Sequence, residues 1–154
     1  MKIRLALILF FMISFSSFGM SKEEMKLEWV NHIAGIIYAE AINEEYYVKS
    51  LVATVIWVRA DEKSYNIYKT VSISKQFASP KFGEGEHWEE CLKLAKEMYN
   101  GTFRAQSVIL GNGKVIQPDH FFHGRSPWWA RDKIWRRVGG LKFLRLDSYR
   151  RGTE

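Results

Sequence analysis

Two carboxylates, Glu40 and Glu44, lie four residues apart in the stretch 36–47 (IIYAEAINEEYY), beside Tyr38 and Ala41 and just ahead of an apolar stripe at Val48, Leu51, Val52, Val55 and Ile56. An ionised carboxylate on an apolar segment is costly unless it is partnered, so such a group sits at an edge or takes up its proton. A carboxyl kept protonated near neutral pH is a general acid. A second set of residues offers a surface on which such an acid could work: Gln76 and Phe77, then His120, Phe121, Phe122, His123 and Trp128 with Trp129 beside it. Flat rings with amide and imidazole donors suit a sugar polymer, whose C–H faces stack and whose hydroxyls hydrogen-bond. An acid next to such a platform points to cleavage of a glycosidic bond.

Other chemistries are open to the same residues. His120 and His123 with Asp119 are of zinc-binding type, but no helix puts the two rings on one face and no clear third ligand follows, so no metal and no cofactor are assigned. Cys91 falls on an apolar helical stripe, which makes it a small core residue rather than a nucleophile. As the single cysteine it can form no intrachain disulfide.

The elements that must position these groups fit one domain: 154 residues with 47% hydrophobic content are ample for one core and short for two. Residues 1–19 carry Lys2 and Arg4 ahead of an apolar run from Leu5 to Phe18, with Ser17 and Gly19 as small residues before a cut. This pattern reads as an export signal, shorter than the roughly 20 residues needed to span a bilayer, and it offers transient membrane association before removal. The remaining 20–154 is read as the catalytic domain, exported to the periplasm or cell wall. The net charge of +6 falls to +4 without the signal, and the excess is concentrated in 124–154, where nine Lys and Arg face Asp132, Asp147 and Glu154. In an exported chain this basic, tryptophan-rich end is expected to meet anionic envelope polymers rather than nucleic acid, or to be a solvated face over packed tryptophans.

Along the chain, Ser21 caps a helix running to about Ala41, Asn43 offers a second start before the helix of Val48 to Arg59, and 61–87 reads as loop with one short helical turn. Trp88, Cys91, Leu92, Ala95, Met98 and Tyr99 mark a later helix ending at Asn100-Gly101. A tight hairpin is expected about Asn112-Gly113, and 137–146 (RVGGLKFLRL) as a last strand. Helices, loop, helix, hairpin and strand in that order make the fold class α+β.

Four ordered segments resemble the spore-cortex-lytic (SleB-like) cell wall hydrolases over most of 20–154. The family's Glu-Ala-Arg-Gly-Glu opening is similar to Glu40-Ala41-Ile42-Asn43-Glu44, followed by a helix ending near Arg59; its Gln-Phe-Ser element is similar to Gln76-Phe77-Ala78. Its aromatic and histidine pair before Pro-x-Trp is similar to 119–130 (DHFFHGRSPWWA), and its closing Ile-Gly-x-His-x-Phe to Val138-Gly139-Gly140-Leu141-Lys142-Phe143. The chain departs from the pattern at Ile42, Asn43, Val58 and Leu141. The resemblance implies a lysozyme-like or transglycosylase-like α+β domain acting on peptidoglycan glycan strands through one essential Glu, at the position of Glu40. Glu44 matches the second carboxylate of the signature, and a charge at a helix start explains it equally well. Glu44, one turn on, is expected to share a helical face with Glu40, and two carboxyls on one face favour neither a retaining nor an inverting scheme. A lytic transglycosylase, in which the substrate's own 6-hydroxyl attacks, needs no such pair. The expected enzyme is a monomer. A phage endolysin of the same chemistry and an inactive glycan-binding module are the alternatives.

Overall fold

The computed structural model describes residues 21–63, 66–73 and 76–146. The proposed signal at 1–19 and the last part of the basic end, 147–154, lie outside these residues. Among the described residues four helices are followed by five short strands: α1 (Lys22–Ala41), α2 (Tyr46–Glu62), α3 (Ile67–Ser72), α4 (Glu86–Tyr99), β1 (Val108–Ile109), β2 (Val115–Ile116), β3 (His120–His123), β4 (Arg136–Val138) and β5 (Leu141–Leu144), with a 3-10 turn at Trp128–Ala130. The α+β class expected from the sequence is what the chain adopts. No helix among the described residues is long and apolar enough to cross a membrane.

Helix α1 begins at a reciprocal cap: Glu24 N donates to Ser21 Oγ at 3.1 Å and Ser21 N to Glu24 Oε2 at 2.7 Å. Ser21 is the cap that the sequence indicates. Helix α2 starts later than Asn43, with Glu45 as its N-cap residue, because 42–45 forms a turn between the helices. From Val48 to Ile56 every residue of α2 is buried, including the polar Lys49, Ser50 and Thr54, so the helix is enclosed on all sides by the rest of the fold. Ile33, Ile36 and Ile37 of α1, Leu51, Val52, Val55 and Ile56 of α2, and Cys91, Leu94 and Ala95 of α4 close the main core. Full burial of each large aliphatic chain contributes about 1.5–3 kcal/mol. Cys91 lies here, and burial pushes its thiol up to about 12. At ordinary pH it is an uncharged, unreactive filler.

The expected hairpin forms between β1 and β2, pairing Ile109 with Val115. Its turn is not the two-residue kind: Leu110 N donates to Lys114 O at 2.9 Å and Gly113 N to Leu110 O at 2.9 Å, leaving the three residues 111–113 between paired positions. The segment 137–146 differs more. Instead of one strand it makes a hairpin, β4 and β5 joined by Gly139-Gly140, and β3 pairs with the other edge of β5 to give an antiparallel sheet of order β3-β5-β4.

Strand period two sorts the aromatic residues of this sheet. Phe121 and Phe143 pair across the strands and join the main core, whereas Phe122 and Leu144 join a second cluster with Ala130, Trp129 and Trp135. His123 has the parity of Phe121 and so points to the helical side; His120 has that of Phe122.

Candidate active site

Glu40 lies in the last turn of α1, with its side chain 12% exposed. Its position against the 76–85 segment is fixed twice. Lys81 N donates to Gly35 O at 3.0 Å, an approach that any Cβ at Gly35 would obstruct against Pro80 and the Lys81 backbone. Ala78 N then donates to Glu40 Oε1 at 2.6 Å. The other oxygen, Oε2, faces His123 Nε2 on β3 across 3.9 Å, beyond direct hydrogen-bonding distance. The ring of His123 is 59% exposed. Glu40 is thereby held at the meeting of α1, the 76–85 segment and the sheet, with one oxygen bound and one directed to an accessible imidazole.

Phe77 and Phe121 stand beside this point, their rings 6.3 Å apart, and the Arg59 guanidinium lies 5.1 Å from the Phe77 ring. Arg59, at 8% exposure, is fixed from below by donating from Nε to Asp119 O at 2.6 Å. Asp119 is fully buried and accepts from Leu146 N at 2.9 Å; its Oδ1 lies 2.8 Å from His120 Nδ1. His120 packs on Trp129, with ring centroids 5.4 Å apart, and Phe122 packs on Trp129 and Trp135. Of the residues read as substrate-binding, Phe77, Phe121 and His123 therefore gather about Glu40. Gln76, half-buried, is adjacent in the chain, while His120 and Phe122 are buried on the opposite face of β3. Trp128 is 80% exposed in the 3-10 turn. Among the described residues no three His, Cys, Asp or Glu side chains converge as a metal site.

Glu44 does not share a helical face with Glu40, because α1 ends at Ala41 and Glu44 falls in the 42–45 turn. Its Oε1 accepts from Gly140 N at 2.9 Å, and the carboxylate fills the space above the Gly139-Gly140 turn. Gly139 adopts φ +58°, a left-handed conformation, and a Cβ there would collide with Glu44 Oε2. Gly139→Ala is expected to displace the Glu44 carboxylate and to cost roughly 1–3 kcal/mol through strain and clash. Thermal unfolding together with the Gly140 amide shift measures both effects.

Sequence reasoning passed over Lys49. It is completely buried in the first turns of α2, and its ammonium donates to Glu44 O and to Glu90 Oε2 at 2.8 Å and lies 2.8 Å from His87 Nδ1. The hydrogen bond from Lys49 is the largest influence holding the Glu90 carboxyl below the usual carboxylate range. Lys49 thus ties α4 to the backbone of the turn that carries Glu44. The available signal was a lysine inside the apolar run 46–58 (YYVKSLVATVIWV).

Comparison with protein-family models, with curated proteins and with solved structures finds no match to this chain.

Proposed function

We propose that this protein cleaves peptidoglycan glycan strands as a lytic transglycosylase, with Glu40 as general acid and then general base. The observation that carries this reading is the arrangement at Glu40: a part-buried carboxyl with one oxygen held by the Ala78 amide and the other directed to exposed His123, beside the Phe77 and Phe121 rings. Glu40 delivers its proton to the glycosidic oxygen as the bond from that oxygen to the anomeric carbon breaks. The 6-hydroxyl oxygen of the same sugar then bonds to the anomeric carbon, and its proton returns to Glu40. One carboxyl completes the cycle, and the product is a 1,6-anhydro sugar. Retaining and inverting hydrolases need two carboxyls about 5–5.5 Å or roughly 6.5–9.5 Å apart across the sugar. Glu44 is engaged by the Gly139-Gly140 turn, which supports a single-acid scheme and gives Glu44 a structural part in holding that turn.

On this reading the helices and small sheet form a lysozyme-like domain, the sugar stacks on Phe77 and Phe121, and Gln76 and His123 bond its hydroxyls. The chain acts as an exported monomer on the cell wall, following removal of the 1–19 segment, and takes no cofactor. The test is release of soluble fragments from purified sacculi, which the wild type is expected to produce; sacculi that remain intact would contradict the reading. On the same reading the exposed ring of Trp128, in the 3-10 turn, offers a further stacking surface for the polymer. With Trp128 80% exposed, Trp128→Ala is expected to weaken pulldown on sacculi while changing stability by under about 0.5 kcal/mol, as for other surface substitutions. A large fall in melting temperature would make Trp128 a packing residue instead.

A further inference from the structure

A cavity of about 290 Å³ lies away from Glu40, lined by Tyr46, Ser50, Leu94, Glu97, Thr102, Phe103, Arg104 and Gln106. At roughly 30 Å³ per water it holds a ligand of about ten non-hydrogen atoms. Its walls carry one acid and one base, Glu97 and Arg104, and among the described residues these two form no ion pair with each other.

The backbone sets them on separate elements, Glu97 half-buried and Arg104 exposed at the rim. Glu97 belongs to the last turns of α4, and its carbonyl accepts from Thr102 N at 2.9 Å and Phe103 N at 3.1 Å, which closes the helix end. Arg104 follows in the extended run, which is pinned where Gln106 N donates to Thr54 Oγ1 at 2.8 Å and Gln106 Nε2 to Arg104 O at 3.0 Å. Leu94 and Phe103 are buried and supply an apolar wall. Burial, with Glu97 nearby, raises the Tyr46 phenol above its ordinary value, so it stays a neutral hydroxyl.

From these features we infer that the cavity binds a zwitterionic amino-acid end, with its carboxylate on Arg104, its ammonium on Glu97, and its aliphatic part against Leu94 and Phe103. Arg104 matches a carboxylate with two parallel N–H donors, and the ammonium completes the pairing on the acid side. Tyr46 opens α2 two residues after Glu44, so the cavity borders the turn that carries the second carboxylate. In the substrate assigned above, the chemistry that fits is the stem peptide, whose cross-linking diamino residue can present a free amine and carboxylate. This source rests on the proposed glycan-cleaving function; the zwitterion pocket itself does not.

The experiment has two arms. In the first, the full chain is titrated by NMR with norleucine, N-acetylnorleucine and norleucinamide, which present a zwitterion, an anion and a cation on the same aliphatic chain. Norleucine is expected to bind at least about tenfold more tightly than either capped form, and to shift the amides of 97–106. Arg104→Gln should bind norleucine no better than norleucinamide, and Glu97→Gln no better than N-acetylnorleucine. Equal binding of all three probes, absence of binding, or unchanged discrimination in both variants would overturn the pocket.

In the second arm, cleavage of intact sacculi is compared with cleavage of glycan strands stripped of their stem peptides. Faster cleavage of the peptide-bearing strands, with the ratio falling toward one in Arg104→Gln, supports the stem as ligand. Equal rates on both substrates overturn that assignment. A wild type that discriminates the probes yet cleaves neither substrate contradicts the glycan-cleaving function and leaves the zwitterion site standing.

Discussion

Glu40→Gln is expected to abolish release of fragments from sacculi while leaving the fold and glycan binding in place. Gln keeps the shape of the side chain, and its amide oxygen can still accept from Ala78 N as Glu40 Oε1 does at 2.6 Å. It has no proton to deliver to the leaving oxygen. Loss of general acid catalysis costs ~10²–10⁴-fold in rate, and here the same carboxyl serves as acid and base, so the upper part of that range is expected. Glu44→Gln should cost much less, because an amide oxygen can take the Gly140 hydrogen bond in place of the carboxylate. Sacculus turbidity measures the rate, with circular dichroism and pulldown on insoluble glycan as controls. Undiminished activity in Glu40→Gln would remove Glu40 as the acid, and a larger loss at Glu44 would exchange the two roles.

Lys49→Met is expected to produce the largest fall in stability among these substitutions. Met approximates the length of the lysine chain, but the Glu44 carbonyl and the Glu90 carboxylate lose their ammonium. Breaking a buried charge pair by removing one partner costs about 3–5 kcal/mol; the Glu90 side chain is 24% exposed and can rehydrate, so roughly 2–4 kcal/mol is expected. For a domain of this size that lowers the melting temperature by about 5–15 °C.

The pH dependence of the loss has a definite sign. Lys49 depresses the Glu90 pKa from its ordinary 4.5 in the folded state. A depressed acid contributes stability above its unfolded pKa, and this is lost as pH falls through the folded value. The gap between wild type and Lys49→Met should therefore be widest above 4.5 and narrow in more acid solution. Denaturant unfolding at neutral and acid pH measures it, and a gap independent of pH would mean that packing alone accounts for the effect.

What the sequence revealed and what it hid follow from local physics. The Ser21 cap, the two long helices and the chain turn about 111–113 were legible because each rests on residues adjacent in the chain. β3 was hidden. His120, Phe121, Phe122 and His123 show no apolar and polar alternation, since both faces of this strand are covered by aromatic packing. Without its period, the sequence does not show the split between Phe121 with His123 and Phe122 with His120, and all four present themselves alike as candidate binding residues. The end of α1 at Ala41 was anticipated, yet treating Glu44 as part of the same helical face ignored the 42–45 turn that this end requires. The Glu44 contact with Gly140 spans 96 residues, and no local pattern encodes it.

Cleavage of the glycan by a single acid, with the substrate's own hydroxyl as nucleophile, is tested by mass spectrometry of the fragments released from purified peptidoglycan. Muropeptides ending in 1,6-anhydromuramic acid are expected, formed by wild type and lost in Glu40→Gln. Fragments with reducing ends, each heavier by one water, would show that water is the nucleophile, and released peptides with intact glycan strands would contradict glycosidic cleavage itself.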